Sequence, residues 1–495
     1  MATQKQHSPF KIPNVRLFIA FRAAFNTRFY YPVFAILFLD FGLTLEQFAI
    51  LNVAWAAAIV LLEVPSGALA DVLGRKILLV FAGALMVAEM ALLCFAPRAN
   101  TQILFLLFLC NRILSGAAEA AASGADEAIA YDTLKKQGME EEWPGVLERQ
   151  MRVRAVASMV AMILGAAVYD PSLMQHVVDW LGLGIQLTQK VTLRFPLYLT
   201  LVMALWTLSI TLRMREKDSV FDETCVSEEG CAKSIIDASI LTLDAGRWII
   251  YTPFAIVIIM AGLLFDSCLR VIITLTSQYY RLIRLPEATF GLIASFMSIV
   301  GIFIPRLSRR LVQQYSPAFN MTVMGVITLF GLTGMVFTLP IIGILPMVFV
   351  SCALFMNGFF ESYYLNRITS SDRRATVLSF KGLSFNLAYG VTGLLYSFLL
   401  TFLRGQAAGE DPMLTGIKLE NAVYGKSLVS FPLYFILASI AMVFFARWKL
   451  KEDKTWRSLS LSELHTFYDA VDYGNNEKRE KSGKGEPGGH GNGHG

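Results

Sequence analysis

Charge is what this 495-residue chain has least of. Asp, Glu, Lys and Arg make up 16% of it, where a soluble domain carries about 25%. A soluble fold of this length would expose a surface that the chain cannot solvate, so a membrane is the expected solvent. Other absences narrow the function. There is no H-E-x-x-H zinc motif, no phosphate-cradling P-loop and no nucleotide-binding domain, so neither an enzyme nor ATP-driven work is expected. Six cysteines carry little. Cys94, Cys110, Cys268 and Cys352 fall in apolar stretches, where the thiol behaves as a small hydrophobe. Cys225 and Cys231 fall in a polar connecting segment, a reducing place once it is put in the cytoplasm, and two thiols are too few ligands for a metal. No cofactor is expected. The apolar runs are continuous rather than alternating, which excludes a transmembrane β-barrel. No cleavable signal stands out: the first sixteen residues are polar and basic, with Lys5, Lys11 and Arg16, and lead straight into an apolar run.

What is abundant is hydrophobic length. The chain is 55% hydrophobic, with a mean hydropathy of +0.53. A membrane-spanning helix needs about 20 mostly apolar residues. Twelve stretches qualify: 15–39, 45–66, 77–96, 101–131, 150–169, 194–213, 249–277, 287–305, 320–339, 342–366, 375–402 and 428–448. The fourth and tenth are overlong and should protrude or tilt. The expected fold is therefore an all-α membrane protein of twelve transmembrane helices. Loops after even-numbered spans hold thirteen lysines and arginines, among them Arg75, Lys76, Lys135, Arg149, Arg306 and Arg367. The opposite loops, longer in sum, hold eight. By the positive-inside rule both termini are cytoplasmic. The net charge of +5 fits this bias and does not call for nucleic acid.

Residues 214–247 part the spans into two groups of six. This linker is acidic at first and then offers Ile235, Ile236, Ile240, Leu241 and Leu243 at amphipathic-helix spacing. The expected units are residues 1–213, the linker 214–247, residues 248–450, and a tail of 451–495 whose glycine-rich end is low-complexity. The tail's His490 and His494 are a weak metal signal beside a disordered terminus. Repetition supports two related halves. Gly67-Ala68-Leu69-Ala70-Asp71-Val72-Leu73-Gly74-Arg75-Lys76 has an echo 234 residues later, beginning at Gly301 and ending at Arg309-Arg310, with Pro305 for the aspartate and Ser308 for the second glycine. Ser123-Gly124-Ala125-Asp126-Glu127 and Asn357-Gly358-Phe359-Phe360-Glu361 repeat at the same offset. The halves should be two pseudo-symmetric six-helix bundles.

The first of these segments matches G-x-x-x-D-x-x-G-R-K, and the chain resembles the major facilitator superfamily of transporters over residues 15–450. Glu63-Val64-Pro65-Ser66-Gly67 and Ser123–Asp132 look like motifs of a prokaryotic branch related to multidrug and metabolite exporters. Arg112-Ile113-Leu114-Ser115-Gly116 resembles an R-x-x-x-G motif whose arginine is implicated in proton coupling. Leu164-Gly165-Ala166-Ala167 lacks the proline common in antiporters of the superfamily. The resemblance implies a location in the cytoplasmic (inner) membrane among its lipids, a monomer, a small-molecule substrate and a coupling ion, with protons first. It also makes Gly67, Asp71, Gly74, Arg75, Lys76, Glu127, Asp132, Arg309 and Glu361 a conformational gate.

Charges inside spans are costly, about 2.5–3.5 kcal/mol each on insertion scales, and should face a partner or a cavity. The simplest pairing joins Arg75 to Glu127 or Asp132 and Arg309 to Glu361, with Asp71 capping the start of span 11. Static loop anchoring is the plainer alternative. Arg22 can snorkel to the interface. Arg28, near mid-span, needs a carboxylate or a bound anion. Asn26, Glu89, Arg112, Glu119, Asp266, Arg270 and Asn386 are the other candidate substrate or proton positions, with Lys381 and Tyr389 as further polar points. Arg112 and Glu119 share a stripe, and Asp266 and Arg270 have the spacing of an intrahelical pair. Desolvation disfavours a charged carboxyl, which suits Glu119 and Asp266 to carry protons. The expected function is secondary active transport of a small organic solute by alternating access, proton-coupled, with export favoured. Uptake or exchange of an anionic metabolite is one alternative. A transporter-derived sensor or scaffold is another.

Overall fold

The computed structural model describes residues 8–98, 100–216, 246–369 and 374–451, with 236, 240 and 242–244 between them. The regular elements among these residues are helices. Most of the linker and nearly all of the tail, including Cys225, Cys231, His490 and His494, lie outside the described residues.

The first half comprises α1 (Pro13–Asn26), α2 (Phe34–Phe41), α3 (Leu45–Leu73), α4 (Arg75–Cys94), α5 (Thr101–Ala122), α6 (Ala125–Lys136), α7 (Trp143–Tyr169), α8 (Pro171–Trp180), α9 (Gln189–Thr192) and α10 (Phe195–Arg213). The second comprises α11 (Pro253–Thr274), α12 (Thr276–Leu282), α13 (Phe290–Gln314), α14 (Pro317–Val336), α15 (Ile344–Ile368), α16 (Arg374–Glu410), α17 (Gly416–Ser427) and α18 (Ser430–Lys449). Among the described residues, eleven helical stretches are long and apolar enough to cross a membrane. The twelfth crossing is α1 and α2 together. The chain is thus an all-α, multi-pass membrane protein.

The first span corrects the sequence reading, which treated 15–39 as continuous. It is broken at residues 27–33. Pro32 has no amide to give a helix, and its ring disfavours helical geometry in the residue before it. Thr27 turns its hydroxyl to the Ala23 carbonyl, 2.6 Å away, and the Phe29 amide leaves the helix ladder to reach the Thr200 hydroxyl at 3.0 Å. Gly165 of α7 makes the break possible: any Cβ there would strike the backbone of Phe29. The overlong fourth span breaks too, at Gly124, whose φ of +75° ends α5 and starts α6.

The side of the molecule holding the start of α1 and the Gly74 turn is called the terminal side, and its opposite the far side. Two seams join the halves: α3 runs along α16, and α7 along α13. At the far side α2 meets α12. α16 has 37 residues, about 55 Å of helix against a hydrocarbon core of about 30 Å. It therefore projects beyond the membrane on the far side, where α17 packs on it.

Candidate functional site

A cavity of about 300 Å³ lies toward the terminal side, lined by Arg22 and Phe25 of α1, Trp55, Ile59 and Glu63 of α3, Glu119, Ala120 and Ala122 at the end of α5, Ser123, and Asn386 of α16. Its wall therefore comes from both halves. Glu119 is exposed to the cavity. Glu63 keeps Oε2 buried without a hydrogen-bond partner among the described residues. The cation of the wall is already engaged: Arg22 pairs with buried Asp126 and, at 3.0 Å, with Glu127. This corrects the expectation that Arg22 snorkels. Asn26 donates to the Arg22 carbonyl at 2.8 Å.

The roof is an aromatic contact between the halves. Trp55 meets Tyr389 edge to face at 6.4 Å. Arg112 lies over Trp55 at 5.2 Å and over Phe34 at 5.3 Å, and donates to Asn52 at 3.1 Å. Arg270 lies over Tyr389 at 5.3 Å, donates to Asn386 at 3.0 Å and pairs with Asp266 at 2.7 Å. The spacing-based pair is therefore present, and each roof arginine stacks on a ring.

Arg28 sits in the break of the first span, 4% exposed, and pairs with Glu89, which is fully buried. That partner supplies the negative charge which a mid-span guanidinium needs, so no bound anion is required there. The pair belongs wholly to the first half and does not line the cavity.

The terminal-side residues are distributed as follows. Arg75 pairs with Asp132, one of its two expected partners; the other, Glu127, pairs with Arg22. The Arg75 and Lys76 amides both donate to the Glu216 carboxylate, at 3.2 and 3.0 Å, which caps α4 after the turn at Gly74, φ +93°. Gly67 has open space beside it. The second expected pair is not formed. Glu361 is buried and pairs with Lys381 at 3.1 Å, while Arg309 is exposed on α13. Lys381, a further polar point in the sequence, is the partner of Glu361. The side chain of Asp71 and residues 370–373, ahead of α16, lie outside what is described.

A network that sequence reasoning missed ties the halves together on the far side. Arg404 of α16 bonds Glu46 at 2.5 and 2.8 Å and Glu420 of α17 at 2.6 Å. Glu420 in turn accepts the Leu45 amide at 3.1 Å. Arg281 grips Asp40 with two bonds of 2.8 and 2.7 Å and reaches Glu287 at 2.5 Å, and the Tyr169 hydroxyl donates to the same Asp40. Ser277 accepts the Ala35 and Ile36 amides at 3.0 and 3.3 Å, capping α2 from the other half. Asp170 accepts the Ala288 amide at 3.1 Å while also capping α8. Burial opposes the charged form of Asp170. The Ser172 hydroxyl and the amides of Leu173, Ala288 and Ser172 outweigh it, holding the carboxyl below the ordinary aspartate value.

Two crossing seams, a cavity walled from both halves and a bridged far side describe the fold. Its family is fixed by the sequence as well: a model of the Major Facilitator Superfamily matches residues 16–393. The chain belongs to the Major Facilitator Superfamily. No curated protein matches it. Solved members of similar shape include a bacterial homolog to the human lysosomal transporter Spinster, inward-facing and unoccupied, at 12% identity and TM-score 0.64 over 90% of this chain and 98% of that one. The nucleoside transporter NupG superposes at 14% identity and TM-score 0.62, over 88% and 98% of the two chains. The xylose transporter XylE from E. coli, inward open, gives 12% and 0.54, over 93% and 100%. At these identities the likeness is one of fold. As a Major Facilitator Superfamily member the chain is a transporter rather than an enzyme. The far-side bridge lies just where such a fold must part for a solute to cross.

Proposed function

We propose that this protein is a secondary active transporter that exchanges protons for a small amphipathic organic solute, cationic or neutral, by alternating access. One observation carries the reading: Glu63 and Glu119 face the cavity without an ion pair among the described residues, beside Trp55 and Phe25. A carboxyl in such a place holds a proton or a cation but not both, and that exclusion couples opposite fluxes. The aromatic walls suit an apolar body attached to the charge. The engagement of Arg28 by Glu89 and of Arg22 by Asp126 and Glu127 speaks against an anionic solute. Asp266 and Glu361, each beside a cation in the second half, are the further proton candidates.

The orientation follows the positive-inside bias, with the terminal side cytoplasmic, and the direction is export driven by proton entry, as the Glu63–Gly67 and Ser123–Asp132 motifs suggest. The two halves, residues 1–213 and 248–450, exchange access by rocking about the α3–α16 and α7–α13 seams as a pseudo-twofold pair.

The test is transport into proteoliposomes with an imposed pH gradient, using a lipophilic cation, a neutral analogue and an anionic analogue. An acidic interior should drive accumulation of the cation. Glu63→Gln with Glu119→Gln should abolish that accumulation and flatten its pH dependence. Transport of the anion untouched by both substitutions, or cation movement indifferent to the gradient, would sink the reading. A protein that moves none of the three under any gradient would point to the sensor alternative.

A further inference from the structure

Between spans five and six the chain does not simply turn round. α8 starts one residue after α7 ends, and its sequence, Pro171-Ser172-Leu173-Met174-Gln175-His176-Val177-Val178-Asp179-Trp180, sorts by helical angle into two arcs. Leu173, Met174, Val177, Val178 and Trp180 fall on one side, with Leu181 after them. Ser172, Gln175, His176 and Asp179 fall on the other.

The protein covers only part of the apolar arc. Met174 and Val178 are half-buried, while Leu173, Val177, Trp180 and Leu181 are exposed by 41, 41, 84 and 55%. With four of its six apolar residues exposed, this face needs another apolar neighbour. The helix is also held in place. Asp170 caps its start with the Ser172 and Leu173 amides at 2.8 and 3.1 Å. Gln175 takes the Leu187 amide at 2.7 Å and donates to the Ile185 carbonyl at 3.1 Å, pinning the returning chain.

What lies beside this face is set by continuity. α7 and α10, the spans that flank it, expose Val160, Leu164, Tyr198 and Val202 along their lipid-facing sides. The charges of Asp40, Arg281, Glu287 and Asp170 gather at the Tyr169 end of α7, which places that end in the headgroup region. A helix attached there by one residue, with an apolar arc toward the acyl chains, a polar arc toward water and a tryptophan at its tip, has the composition of an interfacial helix.

We propose that α8 lies in the interface of the leaflet on the far side, seating Leu173, Val177, Trp180 and Leu181 at the headgroup–acyl boundary. It anchors α7, a seam helix, to the lipid at the point where Asp170 also reaches the second half. Membrane lipid, rather than a second protein, is the partner of this face.

The test reads the depth of Trp180 in vesicles of phosphatidylcholine brominated either near the glycerol end or near the terminal methyl of its acyl chains. The Trp180 signal is the difference between wild-type and Trp180→Phe emission. It should be quenched by at least about twofold by the shallow bromines and clearly less by the deep ones. Iodide in the water should reach it poorly. The double variant Val177→Trp, Trp180→Phe must show the same order, which guards against a silent tryptophan. Emission quenched by iodide and by neither lipid would place α8 in water and overturn the proposal. Emission reached by none of the three would show that protein covers the face, with a second copy the first suspect, and would overturn it equally.

Discussion

The two sides of this molecule are tied in opposite ways. On the terminal side the ion pairs among the described residues stay inside one half: Arg22 with Asp126 and Glu127, Arg75 with Asp132, Lys381 with Glu361. On the far side two of them cross, from Arg404 to Glu46 and from Arg281 to Asp40, beside others such as Arg404 with Glu420 and Arg281 with Glu287 that stay in the second half. Pairs within a half can persist while the halves move, so they hold the fold. Pairs between halves must break when the far side opens, so they hold a state. The difference assigns a different failure to each set.

The largest effect is expected from Arg28→Ala. It strands the fully buried Glu89, and removing one member of a buried pair costs about 3–5 kcal/mol. Thermal melts in detergent should show loss of folded protein, and adding Glu89→Gln should recover most of it. If the single variant melts like wild type, within-half pairs do not hold the fold.

Arg404→Ala should lower the melting temperature less than Arg28→Ala does, because Glu46 and Glu420, buried while the far side is closed, regain water when it opens, and it should shift the conformational balance. Arg404 is only a quarter exposed and serves two carboxylates, so the closed far side loses several bonds at once. A thiol reagent applied from the far side, with a cysteine placed at Ser277, should label about tenfold faster, the equivalent of about 1.4 kcal/mol. An unchanged rate would show that the crossing pairs do not set the state.

Asp170 sharpens the comparison by pH. Its carboxyl is held below the ordinary value of 3.8, so its contribution to far-side closure is fully present above that value. It is lost as pH falls through the lowered value. The same labelling rate, divided by the thiolate fraction at each pH, should stay flat at neutral pH and rise only in acid, and Asp170→Asn should remove the acid limb.

The smallest effect should come from Arg75→Ala. Asp132 is half exposed, and a screened pair of this kind is worth less than about 1 kcal/mol. Melting should barely change. A marked change of transport rate with unchanged stability would give this pair the gating role that the loop motif implies.

The sequence disclosed what is periodic or local. Long apolar runs located the spans, a separation of four residues joined Asp266 to Arg270, and the motif picked out Arg75 with Asp132 as one of two partners. It was silent where the partner is remote. Arg404 and Glu46 are 358 positions apart and sit at span ends, where a lone charge looks like any loop charge. Symmetry misled as well. The offset that relates Arg75 to Arg309 suggested Glu361 as a partner, but Arg309 faces outward on α13 and Lys381, from α16, takes the carboxylate. The break in the first span was hidden because Arg28 reads as an intramembrane charge in need of a partner and the aromatic residues around it carry the apolar run on. Pro32 was the available signal.

That break has a mechanical consequence. A continuous helix resists bending because each turn carries ladder hydrogen bonds that a bend must stretch. At residues 27–33 the ladder is already interrupted, and the Phe29 amide is held by a hydroxyl from another helix. α1 and α2 can therefore change their mutual angle without stretching a continuous helical ladder. α2 is capped from the second half and α1 is pinned to the first, so the first span is a joint whose two arms are fastened to different bodies.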